Sequence, residues 1–299
     1  MIEICNVEKR FDDVHAIINV SLKIEEKTVY GLLGTNGAGK STLLRMMAGV
    51  LKPGKGKILL DGKKLYNHAG PKSKCFYVSD DQYFYPNSSA QDMEKTYRTY
   101  YPAFDRTKFK EYIEHFHLPY KRRIATFSKG MKKQLAIFLA ICSGCQYIFL
   151  DETFDGLDPV VRQAMKKIFA AEMEERGLTV VIASHNLREL EDICDQVGLL
   201  HQGGLLLSRN LDGLKSRQHR LQLVADDYQE EQLRQLLDVA QYSSRGRMKS
   251  LTVRGDAAQI EDIVKKMNPL YYELLPLSLE EIFISETEGI GYDVRNIIQ

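Results

Sequence analysis

Five cysteines in 299 residues are too few for a disulfide scaffold, and they leave no framework of paired spacings to read. Cys142 and Cys145 do form a C-x-x-C, yet no second pair accompanies them. The surrounding ICSGCQYIFL reads as a helix end running into a buried strand, so both are expected to be small core residues. Long apolar runs are also missing. Stretches such as YIFL and TVVIA fall far short of the roughly 20 residues a membrane-crossing helix requires. The start, MIEICNVEKRF, meets charge within three residues and has no apolar signal core, which predicts a cytoplasmic location. Excess charge of one sign is absent too, with Lys+Arg 41 against Asp+Glu 40. That balance supplies no general attraction to anionic lipid or to a phosphate backbone, and no specific nucleic-acid partner is expected. There is no low-complexity tract and no solenoid repeat.

What is present is patterning. The length suits one large domain and a smaller appendage. Residues 1 to about 30 alternate apolar and polar positions (IEICNV, INVSLKIE), predicting an antiparallel sheet. VYGLLG then reads as a buried strand, followed by a glycine-rich turn and by KSTLLRMMAGV, a helix closed at Gly49 and Pro53. KILLDG and KCFYVS predict further strands, and residues from about 88 to 140 form a helical insert. Apolar runs at 146–151, 178–183 and 196–201 are separated by DPVVRQAMKKIFAAEMEER and LRELEDIC, the alternation of a parallel α/β sheet. Residues 1–212 are thus read as one α/β domain. Residues 213–299 show a strand-helix rhythm three times over and are read as a small α+β domain. Its helices are placed at QEEQLRQLLDVA, AQIEDIVKKM and SLEEIFISETEG.

Gly34-Thr35-Asn36-Gly37-Ala38-Gly39-Lys40-Ser41 fits G-x-x-x-x-G-K-[ST] between a strand and a helix, the setting of a phosphate-binding P-loop. Its glycines let successive N–H groups face a triphosphate at the positive end of the next helix. Lys40 is suited to the β- and γ-phosphates, Ser41 to Mg²⁺, and Thr42 to a phosphate oxygen. The strand YIFL delivers Asp151 and Glu152 to its carboxyl end, where ligands of open α/β sheets bind. Asp151 suits the Mg²⁺ shell, and Glu152 can orient or polarise an attacking water.

Between these halves lies FSKGMKKQ, residues 127–134, which resembles the signature motif of ATP-binding cassette (ABC) ATPases; FDGLD, residues 154–158, is similar to their D-loop. The resemblance covers residues 1 to about 212. It implies a P-loop NTPase core with an N-terminal antiparallel subdomain and a helical insert, ahead of the C-terminal α+β domain read above from its pattern, and ATP and Mg²⁺ as ligands. It casts His185 as the switch histidine and Phe11, followed by Val14 and Ala16, as the aromatic that stacks on adenine. It also implies a head-to-tail pair with a second copy or a homologous ATPase subunit. In that pair Ser128 and Gly130 of one subunit would cover the nucleotide of the other.

Three motifs depart from the family pattern, at four positions. Asp80 stands where the Q-loop glutamine is expected, leaving its contact with Mg²⁺ or water open. Lys129 and Met131 replace the first glycine and the glutamine of the signature. Lys129 reads either as a cation near the γ-phosphate or as a solvated residue. Thr153 replaces a proline, with little consequence expected.

A single cassette without a long coiled coil favours a transporter motor over an ABC ATPase acting on ribosomes or DNA. YVSDDQYFYPNSSAQD, the signature and SLEEIF are similar to ATPase subunits of bacterial peptide and drug exporters, especially single-cassette subunits of Gram-positive bacteria. Integral membrane permease subunits are the partners so implied, holding the chain at the inner face of the cell membrane. Tyr83, Phe84, Tyr85, Tyr97, Tyr100 and Tyr101 fall where such a partner docks, or else they pack the insert.

Overall fold

The computed structural model describes residues 1–211, 213, 218–224, 228–278 and 280–282. The chain divides into two compact units, Met1–Ser208 and Arg209–Gln299. Most of the SLEEIFISETEG segment lies outside the described residues.

The first unit opens with antiparallel strands β1 (Ile2–Phe11) and β2 (Val14–Ile24). Ile2 and Ile4 of β1 and Val20, Leu22 and Ile24 of β2 are buried while Glu3, Ser21 and Lys23 between them are more exposed, as the period of two requires. Next come β3 (Val29–Leu33) and α1 (Lys40–Met47). β4 (Lys55–Leu60) and β5 (Lys63–Lys64) complete a sheet of order β2-β1-β4-β5. A short α2 (Ala69–Lys72) leads to β6 (Cys75–Val78).

The helical insert follows as α3 (Ala90–Tyr100), α4 (Arg106–His115), a 3-10 turn (Ile124–Thr126) and α5 (Lys129–Cys142). Its starts are encoded locally. Ser89 and Asp92 form a capping box on α3, Asp105 caps α4, and Ser128 caps α5. The chain continues through β7 (Tyr147–Asp151), α6 (Pro159–Arg176), β8 (Thr179–Ser184), α7 (Leu187–Ile193), β9 (Gln196–His201) and β10 (Gly204–Asn210).

The second sheet has the order β10-β9-β3-β8-β7-β6, and β9, β3, β8, β7 and β6 run parallel. Every residue of β3, β7 and β8 is buried, which is why their sequences are unbroken apolar runs rather than alternating ones. Being adjacent and parallel, these three strands bring their carboxyl ends to one edge. Strand β10 was not anticipated, because GLLLSRN carries three consecutive leucines and no alternation. Cys142 and Cys145 are free and buried, and burial raises both thiols. Among the described residues no helix is long and apolar enough to cross a membrane.

The second unit contains β11 (Gln218–Val224), α8 (Glu230–Leu236), β12 (Asp238–Arg245), β13 (Met248–Arg254), α9 (Ala257–Lys266) and β14 (Tyr271–Pro276). The strands form an antiparallel sheet of order β12-β13-β11-β14. This is the split β-α-β arrangement of ferredoxin-like modules. Leu221, Leu223, Leu251 and Val253 meet Leu233, Ile260 and Val264 of the two helices, each fully buried side chain contributing roughly 1.5–3 kcal/mol. One expectation is corrected here. QEEQLRQLLDVA is helical only to Leu236; Asp238–Arg245 is a strand, because Val239 and Tyr242 pack on the core while the backbone pairs with β13. Tertiary pairing overrode the helical period of the leucines.

Candidate functional site

The glycine-rich turn begins where β3 ends. Gly39 has φ +103, and a Cβ there would stand 2.4 Å from the Ala16 carbonyl oxygen, so the turn tolerates no larger residue at this point. That close approach also fixes the β1–β2 hairpin against the turn. Ala38 is buried, whereas Asn36 and Gly37 are exposed at the turn's outer side. Lys40 is 5% exposed, and its Nζ donates to the carbonyls of Gly34 (2.7 Å) and Thr35 (3.1 Å). Ser41 and Thr42 are half-buried at the start of α1.

Strand β7 delivers its two carboxylates to this turn. Asp151 is buried and accepts from Ser41 Oγ at 2.8 Å and from Tyr77 Oη at 2.8 Å. Burial raises the Asp151 carboxyl, and the Tyr77 and Ser41 hydroxyls offset part of that rise. Glu152 pairs with Lys40 Nζ at 3.1 Å and with His185 Nδ1 at 2.8 Å. Its backbone is left-handed, with φ +49, a conformation that costs a non-glycine residue on the order of 1–2 kcal/mol. Its N–H donates to the Ala183 carbonyl at 3.0 Å, and its own carbonyl accepts from Lys133 Nζ at 2.6 Å. Thus Lys40, Ser41, Asp151, Glu152 and His185 converge at the carboxyl ends of β3, β7 and β8.

No hydrogen bond or ion pair joins Phe11, Val14, Ala16, Ser128 or Gly130 to this cluster. Phe11 and Val14 are partners across the β1–β2 hairpin and both are exposed, with Lys9 Nζ 4.9 Å from the centre of the Phe11 ring. Ala16 is half-buried on the same hairpin, its carbonyl against Gly39. Ser128 is exposed and spends its side-chain oxygen on the Met131 N–H at 3.2 Å. Gly130 is half-buried, and a Cβ there would meet the Gly156 carbonyl oxygen at 3.7 Å, an ordinary van der Waals contact.

A family model described as ABC transporter matches residues 17–155. The chain is 30% identical to the lantibiotic transport ATP-binding protein SrtF of Streptococcus pyogenes, over 71% of this chain and 92% of that one. It is 29% identical to the ABC transporter ATP-binding protein YtrB of Bacillus subtilis, over 97% of this chain and 99% of that one. The chain belongs to the ABC transporter ATP-binding proteins. It is an ATPase subunit of that family, and nucleotide is its ligand. The fold agrees with the dimeric structure of MJ0796, a bacterial ABC transporter cassette. The two match with a TM-score of 0.62 at 23% identity, over 71% of this chain and 99% of that one.

At the positions where this ABC ATPase departs from the family pattern, the partners are specific. The Asp80 carboxylate lies 3.8 Å from Lys133 Nζ, and no ion pair or hydrogen bond joins it to Ser41 or Asp151. Lys129 is 72% exposed and lies 3.7 Å from Asp155. Thr153 is buried.

Two residues of the ABC site escaped the sequence reading. Tyr77, from the end of β6, links Asp151 to Arg45, whose Nε donates to its hydroxyl at 3.1 Å. Lys133 is buried with Nζ on the carbonyls of Glu152 and Asp155, and burial lowers its pKa. A signal for Lys133 existed. It stands four residues before the buried Ile137, on the apolar face of α5, where a cation is out of place unless it has partners.

The aromatic cluster divides. Tyr97 and Tyr101 stack on each other at 5.8 Å and both meet Phe76, so they pack the insert. Tyr83, Tyr85 and Tyr100 are exposed and line, with Tyr97 and Tyr101, a cavity of about 350 Å³. Phe84 is half-buried beside them.

Proposed function

We propose that the chain is the motor subunit of an exporter of peptides or drug-like compounds. It pairs with a second copy or a homologous ATPase subunit and works with separate integral membrane permease subunits at the cytoplasmic face. The observation that carries the reading is the meeting of Lys40, Ser41, Asp151, Glu152 and His185 at one end of the parallel sheet.

An arriving triphosphate gives Lys40 anionic oxygens to bind, and Glu152 is released to accept a hydrogen bond from the attacking water. His185 keeps the Glu152 carboxylate oriented through the second oxygen. The Ser41 hydroxyl and the Asp151 carboxylate are hard oxygen donors 2.8 Å apart, a set that fits Mg²⁺, which takes few protein ligands and retains several waters. Bound there, Mg²⁺ would neutralise charge on the β- and γ-phosphate oxygens. Asp80 is the third candidate for that shell, and its pairing with Lys133 favours a relay role instead.

Phe11, flanked by Val14 and Ala16, is the proposed adenine platform. Asn36, Gly37, Ala38, Gly39 and Thr42 complete the phosphate cradle. Ser128 and Gly130 at the start of α5 are proposed to reach the γ-phosphate held by the partner subunit, where the helix N-terminus adds a favourable dipole. The tyrosine-lined cavity is the proposed seat of a permease segment. The lantibiotic transport role of SrtF supports peptide-like cargo.

The test is Glu152→Gln. ATP binding should persist while turnover drops on the order of 10²-fold, the scale of lost base and electrostatic help. Near-normal turnover in a well-folded variant would remove Glu152 from the mechanism.

A further inference from the structure

We propose that Lys133 is a positioning residue for hydrolysis. Its buried ammonium grips the carbonyls of Glu152 and Asp155, and so holds the Glu152 carboxylate toward Lys40 and His185. The inference rests on the reading of Glu152 as the residue that orients the attacking water.

Lys133 has no exposed side-chain surface. An ammonium has three protons to place. Two go to the carbonyls of Glu152 at 2.6 Å and Asp155 at 2.9 Å, and the carboxylates of Asp80 and Asp155 stand at 3.8 and 3.9 Å. A methionine would fill the same space without the cost of desolvating a charge, so packing alone does not account for a lysine. The carbonyls do. Glu152 sits in a left-handed conformation that its own chemistry disfavours, and it is pinned on both sides, by Ala183 at the N–H and by Lys133 at the carbonyl. The neighbouring Thr153 does not help, because its buried hydroxyl has no hydrogen-bond partner among the described residues. Lys133 also belongs to α5, whose first turn carries Ser128 and Gly130. One helix therefore presents the signature residues outward and grips the hydrolytic turn of its own subunit. Displacement of α5 would move Glu152 with it.

The test compares full-length Lys133→Met and Lys133→Gln, with turnover divided by the number of sites that bind a fluorescent ATP analogue. Glu152→Gln is measured alongside. The expected result is a KM for ATP within about two-fold of the unmodified chain. With it, kcat per competent site falls at least about ten-fold in Lys133→Met and less in Lys133→Gln, which keeps an N–H donor. Adding Lys133→Met to Glu152→Gln should lower the single-turnover rate no further, since both act through one carboxylate. Unchanged kcat per site in both lysine variants, or a loss that multiplies with that of Glu152→Gln, overturns the proposal. Should Lys133→Met not fold, Lys133→Gln decides alone, an unchanged kcat per site overturning the proposal. If Glu152→Gln itself turns over normally, the reading of the site falls and the inference with it. A dead Glu152→Gln beside fully active lysine variants sinks the inference alone.

Discussion

Tyr77→Phe removes one oxygen atom and tests how the Asp151 carboxylate is held. The hydroxyl donates to Asp151 at 2.8 Å and accepts from Arg45 Nε at 3.1 Å. Burial pushes the phenol up to about 12, so it stays a donor throughout the working range. Arg45 is exposed and regains water when the hydroxyl goes, so the loss falls on Asp151, which is buried and keeps only Ser41. A hydrogen bond to a charged group contributes about 1.5–3 kcal/mol. For a unit of this size, at roughly 2–4 °C per kcal/mol, the melting temperature should fall by about 3–12 °C.

The sign of the pH dependence follows from Asp151. Its folded pKa is raised, so the ionised carboxylate costs the folded state stability above the ordinary aspartate range, and the Tyr77 hydroxyl offsets part of that cost. The penalty of Tyr77→Phe should be full near pH 7.5 and shrink as pH falls through the raised pKa. Urea titrations of both chains at pH 7.5 and at acidic pH measure this. A difference under about 0.5 kcal/mol at pH 7.5, the range of an unremarkable surface change, or an equal difference at both pH values, would refute the argument.

Asp80→Gln should keep hydrolysis by the isolated chain and alter its stimulation by the permease partner, because the Asp80 carboxylate faces Lys133 rather than the phosphate cradle. Asp80→Ala with untouched partner-stimulated ATPase would end that reading. Mixing inactive Lys40→Ala with inactive Ser128→Arg should restore part of the activity, since one composite site of a mixed dimer then has an intact P-loop facing an intact signature. Absence of recovery in a mixture shown by sedimentation to contain dimers would count against a shared site.

The parallel sheet and the P-loop were legible because their determinants are local. Buried strands write themselves as unbroken apolar runs, and the turn at Gly39 admits only glycine. The convergence of Ser41 with Asp151 was foreseeable because each follows or ends a buried strand of one parallel sheet, at the carboxyl end, although 110 residues separate them. Strand β12 was not legible, because its identity comes from pairing with β13 and its first residues directly follow Leu233, Leu236 and Leu237, which have helical spacing. Tyr77 and Lys133 escaped for the same physical reason. A tyrosine ending a strand and a lysine in a helix acquire their meaning only from groups 74 and 19 residues away.

The left-handed backbone at Glu152 sets stability and turnover at odds in one residue. Glycine would relax that conformation and asparagine would tolerate it better, yet neither brings a carboxylate to Lys40 and His185. Drift toward a more stable chain therefore has an easy route here, and each step along it leads to a better-folded, slower enzyme. Screens that reward thermal resistance alone should enrich substitutions at position 152, whereas screens that reward growth through transport should purge them.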